Sequence, residues 1–89
     1  MQNKRLLYVE DDQQLAEVTI RAFEKRGFDV THFSMIDGAK ASILTSVYNY
    51  ALLDLKVGQN NSLQLIEHLN TANPHVKIVL LTGYASIAT

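Results

Sequence analysis

The 89-residue sequence lacks several features that assign a small protein to a special class. It contains no cysteine, which excludes a disulfide framework and a thiolate metal site. It also lacks a long apolar run. The longest one, VKIVLL at residues 76–81, includes Lys77 and is far shorter than the roughly 18–20 residues that cross a bilayer. We therefore expect no membrane-spanning segment and no membrane partner.

Neither sign of charge is in clear excess. The eight lysines and arginines nearly balance the nine aspartates and glutamates. The resulting net charge of −1 does not predict a nucleic-acid surface. With 47% hydrophobic and 19% charged residues, the chain is too apolar to be disordered and long enough for one small domain. Glu10 comes too early for the apolar core of a signal peptide, so we expect a cytoplasmic protein.

Short apolar runs alternate with segments of helical periodicity. The predicted strands are residues 5–9, 29–33, 50–53 and 76–81. The predicted helices are residues 13–26, residues 37–44 and a segment with an apolar stripe at Leu63, Ile66 and Leu69. Turn residues fill 56–61, and residues 84–89 resemble the start of another helix. This order predicts an α/β fold with a parallel sheet, right-handed crossovers and helices on both faces.

Three residues beside the predicted helices suit helix ends. Asp12 is a candidate N-cap of the first helix, and Gly27 stands where a glycine often follows a helix. Ser62 is the candidate N-cap of the third helix.

Polar residues follow three of the predicted strands. They are Glu10, Asp11 and Asp12 after the first strand, Asp54 after the third and Thr82 after the fourth. The carboxyl ends of parallel strands meet at one edge of an open sheet, where ligands bind. Clustered carboxylates repel one another, and Mg²⁺ would relieve that repulsion. A carboxylate beside such an ion can attack phosphorus, with a nearby hydroxyl stabilising the phosphoryl oxygens.

This combination of residues resembles the receiver domain of two-component response regulators. The stretches YALLDLKVG and IVLLTGYASIAT are more closely similar to the redox-responsive RegA/PrrA/ActR-type regulators. The resemblance implies a flavodoxin-like (CheY-like) parallel sheet with strand order 2-1-3-4-5. We expect residues 1–89 to form a single receiver domain with four strands, ending before the family's fifth strand and last helix.

The resemblance also implies a role for each site residue. Asp54 is the expected phospho-acceptor, and Thr82 is the expected switch hydroxyl. The expected Mg²⁺ ligands are Asp11, Asp54, Glu10 (mostly through water) and the backbone carbonyl of Lys56. Tyr84 occupies a position that modulates access of the attacking water, and therefore the lifetime of the phosphoryl group.

The sequence departs from the family pattern in three ways. Asn61-Ser62 stands where receivers often have Asp-Gly before the third helix, and Val57-Gly58 stands where they often have Met-Pro. In addition, no lysine of this sequence can be assigned to the family position that pairs with the phosphoryl group, since Lys56 and Lys77 lie elsewhere.

The function expected from the resemblance is signal transduction, not enzymatic catalysis. A sensor histidine kinase would donate the phosphoryl group to Asp54, and DNA would be reached only through an effector domain that this chain does not encode. A hydrolase with an aspartyl nucleophile is a weaker alternative, because such enzymes have a second acid two residues after the nucleophile, where this sequence has Lys56.

A structural role is the main alternative. A truncated receiver without a working switch would still carry the strand at residues 76–81 as a sheet edge, with Lys77 as its one charge. Such an edge is a template for pairing with another chain. We therefore expect a homo-oligomer, by default two-fold, through this edge or through a swapped C-terminal stub at residues 84–89.

Overall fold

The computed structural model describes residues 4–81 of the chain. Its strands are β1 (Arg5–Val9), β2 (Asp29–Phe33), β3 (Tyr50–Asp54), β4 (Lys56–Val57), β5 (Asn60–Asn61) and β6 (Lys77–Leu81). Its helices are α1 (Gln13–Lys25), α2 (Ile36–Thr45) and α3 (Gln64–Ala72). The predicted alternation of strands and helices is confirmed, with one addition. Residues 56–61, predicted as a turn, form the antiparallel hairpin β4–β5.

Four of the strands form one parallel sheet in the order β2-β1-β3-β6. Because β6 is the fourth strand of the predicted set, this order confirms the flavodoxin-like topology as far as the described chain extends. β6 begins at Lys77, one residue later than predicted, since the Val76 N–H donates to the Asn73 carbonyl in the turn after α3. Within residues 4–81, β6 pairs with β3 alone and forms one edge of the sheet.

The two faces of the sheet bury separate apolar clusters. Successive residues of a strand point to opposite faces, and β1 supplies both clusters. Leu7 and Val9 pack with α2 and α3, whereas Leu6 and Tyr8 pack with α1. The sheet therefore has α1 on one face and α2 and α3 on the other, and the central strands β1 and β3 are largely inaccessible to solvent.

The ends of α1 follow the sequence prediction closely. The Asp12 side chain accepts a hydrogen bond of 3.1 Å from the Leu15 N–H, which confirms the N-cap. The helix ends at Lys25, and Gly27 then has a φ of +89°, a conformation that glycine adopts without steric cost.

The start of α3 differs from the prediction. The helix begins at Gln64, and Ser62 does not cap it. The N-cap position is held by Leu63 without a side-chain cap, and the Asn61 side-chain oxygen accepts a 2.7 Å hydrogen bond from the Leu63 N–H in the turn before the helix. Leu63, predicted as core, precedes the first turn and is exposed, so the buried stripe runs instead through Leu65 and Leu69.

No helix within residues 4–81 is long and apolar enough to cross a membrane.

Candidate metal and phosphorylation site

Three carboxylates lie together at the carboxyl edge of the sheet. Glu10, Asp11 and Asp54 each offer one oxygen atom, and these oxygens lie within 4.8 Å of one another. The topology explains this proximity, because β1 and β3 are adjacent parallel strands that end beside each other, with Val9 opposite Leu53. The structure therefore brings together three of the carboxylates that the sequence places at the ends of its strands.

Glu10 is the most buried member of the cluster, with only 4% of its surface exposed. Burial raises the pKa of its carboxyl group, and the charges of Asp54 and Asp11 raise it further. A hydrogen bond of 3.1 Å from the Asp12 N–H to Oε2 acts in the opposite direction, because it favours the ionised form. The buried carboxylate is thus costly to ionise when the cluster holds no cation.

Asp54 is half-buried at the end of β3. Burial raises its pKa, and the charge of Asp11 adds to the effect, while the backbone N–H groups of Lys56 and Leu55 oppose it. The Asp54 backbone is also fixed, since its carbonyl accepts a 2.6 Å hydrogen bond from the fully buried hydroxyl of Ser62. The segment that leads into α3 therefore holds the end of β3 in place.

Asp11 is exposed and connects the cluster to the β4–β5 hairpin. Its Oδ2 accepts a 2.8 Å hydrogen bond from the N–H of Gly58 in the hairpin turn. Beside it opens a cleft of about 210 Å³, which Val57, Asn60 and residues 34–37 also line. Lys56, whose carbonyl is an expected metal ligand, begins the same hairpin.

Thr82 and Tyr84, the predicted switch hydroxyl and the predicted water-modulating residue, lie outside the described residues. Asp12 contributes a cap and a backbone N–H to the site and is not one of the three clustered carboxylates.

Two residues form hydrogen bonds to the backbone of the cluster that the sequence does not predict. Ser62 has the sequence context of a helix cap, although its hydroxyl donates to Asp54. His32 has the sequence context of a surface histidine, but it is half-buried and its Nε2 lies 2.8 Å from the Glu10 carbonyl oxygen. Neither contact has a local sequence signal, because the partners lie 8 and 22 positions apart and meet only in the folded chain.

The strand order and the acidic cluster define a receiver-type α/β domain, and sequence comparison agrees. Residues 6–89 match the family described as the response regulator receiver domain. The chain belongs to this family, whose members are regulatory domains of two-component response regulators.

Two individual relatives are regulators of the RegA and ActR type. The photosynthetic apparatus regulatory protein RegA of Rhodobacter capsulatus is 37% identical over 87 residues, which cover 98% of this chain and 47% of RegA. The acid tolerance regulatory protein ActR of Sinorhizobium medicae is 33% identical, over 98% of this chain and 45% of ActR. The predicted likeness to RegA- and ActR-type regulators is confirmed, and the chain spans about half the length of these relatives.

A solved structure is similar in three dimensions. It is a response regulator from Burkholderia pseudomallei, described with a phosphorylated aspartic acid, a calcium ion and citrate. It has a TM-score of 0.85 and 33% identity, with 96% of this chain and 50% of that chain covered.

Proposed function

We propose that this receiver domain accepts a phosphoryl group on Asp54 from the phosphohistidine of a sensor histidine kinase, with Mg²⁺ bound by the acidic cluster. The main observation in support is that one oxygen from each of Glu10, Asp11 and Asp54 lies within 4.8 Å of the others, at the ends of β1 and β3. The Burkholderia pseudomallei regulator, which carries a phosphorylated aspartic acid and a calcium ion, supports the proposal by analogy.

The chemistry of the donor set fits a hard divalent cation. Its three clustered side chains are carboxylates, the ligands that Mg²⁺ and Ca²⁺ prefer, and histidine and cysteine are not among them. The raised pKa values of Glu10 and Asp54 indicate charge repulsion and desolvation that a cation would offset. Glu10 and Asp11 each use one oxygen for a backbone hydrogen bond, so each keeps a second oxygen for a ligand.

The backbone carbonyl of Lys56 is a further proposed ligand. The Lys56 carbonyl would add a neutral oxygen from the start of the hairpin. When bound, Mg²⁺ would neutralise charge on the transferring phosphoryl oxygens.

The proposed transfer uses the ionised carboxylate of Asp54 as the nucleophile. One of its oxygens forms a bond to phosphorus while the N–P bond of the phosphohistidine breaks, and that electron pair returns to the imidazole nitrogen. The hydrogen bond from Ser62 to the Asp54 carbonyl limits backbone movement and keeps the carboxylate oriented. The Thr82 hydroxyl would then donate to the phosphoryl group, and Tyr84 would control the approach of hydrolytic water.

Family membership favours this signalling function over a purely structural module. Self-association remains part of the proposal, because β6 carries Val79, Leu80 and Leu81, which are 38–54% exposed. Pairing of β6 with a second copy, or a swap of residues 84–89, would cover this strand. The cytoplasmic location expected from the sequence also remains a prediction.

Labelling with radioactive acetyl phosphate and Mg²⁺ tests the assignment of Asp54. The unmodified protein should take up label and Asp54→Asn should not. Asp12→Asn is the matched control, because asparagine also caps helices and Asp12 lies outside the cluster, so this variant should label normally. Equal labelling of Asp54→Asn and the unmodified protein would refute the proposed acceptor.

A further inference from the structure

The Glu10 backbone lies just beyond the point where β1 and β2 stop pairing. Val9 is opposite Phe33, the last residue of β2, and the Glu10 N–H still donates to the Phe33 carbonyl at 3.1 Å. The next group along β1 is the Glu10 carbonyl, for which β2 offers no further N–H in the ladder. The His32 side chain fills that place, with its Nε2 2.8 Å from the carbonyl oxygen.

Packing holds the His32 ring in position. Tyr8 and His32 are opposite each other in the register of β1 and β2, so both side chains point to the α1 face of the sheet. Their ring centroids are 5.4 Å apart, and Tyr8 is 1% exposed, which leaves the half-buried histidine little freedom to turn. Because a carbonyl oxygen can only accept a hydrogen bond, Nε2 must carry the proton in this contact.

We propose that His32 is a positioning residue of the acidic site, acting through the peptide group between Glu10 and Asp11. With the Glu10 N–H bonded to Phe33 and the Glu10 carbonyl bonded to His32, the backbone is fixed on both sides of this residue. The same peptide group leads into Asp11. One hydrogen bond to the carbonyl therefore orients the two carboxylates that β1 supplies toward Asp54.

This inference rests on the proposed Mg²⁺ site and adds a cause for its geometry. Ligands already held in the binding arrangement do not lose conformational freedom when the cation binds. Without the His32 donor, the Glu10–Asp11 peptide group would be free to rotate. The free-energy cost of ordering it when Mg²⁺ binds would then reduce the Mg²⁺ affinity. Outer residues that orient ligands in this way typically contribute about 10- to 100-fold to metal affinity.

Three variants separate the hydrogen bond from ring packing. His32→Phe keeps an aromatic ring against Tyr8 but removes the donor. His32→Gln keeps an N–H donor at about the reach of Nε2 but removes the ring. His75→Phe is the control, because His75 is exposed in the turn between α3 and β6 and does not belong to the acidic cluster.

The measurement is a Mg²⁺ titration followed by amide NMR signals of Asp11 and Gly58. We expect His32→Phe to weaken Mg²⁺ binding about 10-fold, His32→Gln to bind within about threefold of the unmodified protein, and His75→Phe to be unchanged. A folded His32→Phe with unaltered affinity would overturn the inference, as would a His32→Gln as weak as His32→Phe. If the unmodified protein binds no Mg²⁺, the proposed function itself fails.

A second readout does not depend on Mg²⁺ or on the stability of the variants. A long-range ¹H–¹⁵N spectrum of the unmodified protein reports which nitrogen of the His32 ring carries the proton. A proton on Nε2 supports the contact with Glu10, and a neutral ring protonated only on Nδ1 would overturn it. This spectrum decides the question if His32→Phe fails to fold.

Discussion

The backbone N–H of Gly58 donates a 2.8 Å hydrogen bond to Oδ2 of Asp11, which joins segments 47 residues apart in the chain. This contact makes the β4–β5 hairpin part of the acidic site. Gly58 forms it with a φ of +61°, in the left-handed region where side chains with a Cβ are disfavoured. The hairpin turn therefore depends on glycine for its conformation.

Gly58→Ala should lower both stability and Mg²⁺ affinity. A Cβ at this position would meet no atom within 4 Å, so the penalty comes from the backbone alone. We expect the free energy of unfolding to fall by about 1–2 kcal/mol in urea titrations. Gly58→Asn is the control, since asparagine adopts positive φ more readily and should cost less. An alanine variant as stable as the unmodified protein would contradict the role given to this glycine.

Ser62→Ala should destabilise the protein through the end of β3. The Ser62 side chain is fully buried, and its hydroxyl donates to the Asp54 carbonyl at 2.6 Å. Loss of that donor leaves a poorly satisfied carbonyl, so the free energy of unfolding should fall by about 1–3 kcal/mol. The control Ser34→Ala, at an exposed serine, should change it by less than about 0.5 kcal/mol. Similar losses in the two variants would show that the buried hydrogen bond has no special role.

In metal-free buffer, stability should decrease as pH rises. Burial raises the pKa of Glu10 above its ordinary value of 4.5 and that of Asp54 above 3.8, so the folded state binds more protons than the unfolded state between the ordinary and raised values. The stabilisation is fully present below the ordinary values and is lost as pH rises through the raised ones.

Urea titrations with EDTA from about pH 4 upward measure this dependence. Asp54→Asn removes one of the two groups and lowers the repulsion on Glu10, so its stability should change less with pH and be higher near neutral pH. Mg²⁺ should restore stability at neutral pH and bind progressively less well as pH falls, because protons compete for the same oxygens. A metal-free protein that gains stability steadily from about pH 4 to neutrality would contradict the expected direction.

The parts of the fold that sequence patterns predict are those fixed by local chemistry and burial. β1 and β3 are continuous apolar runs because both faces of the central sheet are covered, and Asp12 and Gly27 mark the ends of α1 by their own chemistry. The meeting of Glu10, Asp11 and Asp54 at one edge of the sheet can be predicted from parallel strand order.

The differences from prediction concern contacts between residues that lie 8 to 47 positions apart in the chain. Sequence patterns predict only a turn at residues 56–61, yet the Gly58 amide of this hairpin is bonded to Asp11, 47 residues away in the chain. They predict a helix cap at Ser62, but a free carbonyl at the end of β3 competes successfully for its hydroxyl. They indicate a surface position for His32, because the partner that fixes it, Glu10, lies 22 positions away.

The edge of β6 gives the last prediction, which concerns self-association. Val79 lies in the middle of this strand, 54% exposed, paired with Leu52 of β3 in the sheet register. Val79→Lys would place a second positive charge two residues from Lys77, on the same face of the strand, and charges of this kind disfavour pairing at sheet edges.

Light scattering behind gel filtration at tens of micromolar should therefore show a dimer for the unmodified protein and a monomer for Val79→Lys. Val47→Lys is the control, because Val47 is similarly exposed, at 51%, but lies outside β6, in the segment between α2 and β3, so this variant should remain dimeric. A monomeric unmodified protein, or equal dissociation of the two variants, would exclude β6 as the interface.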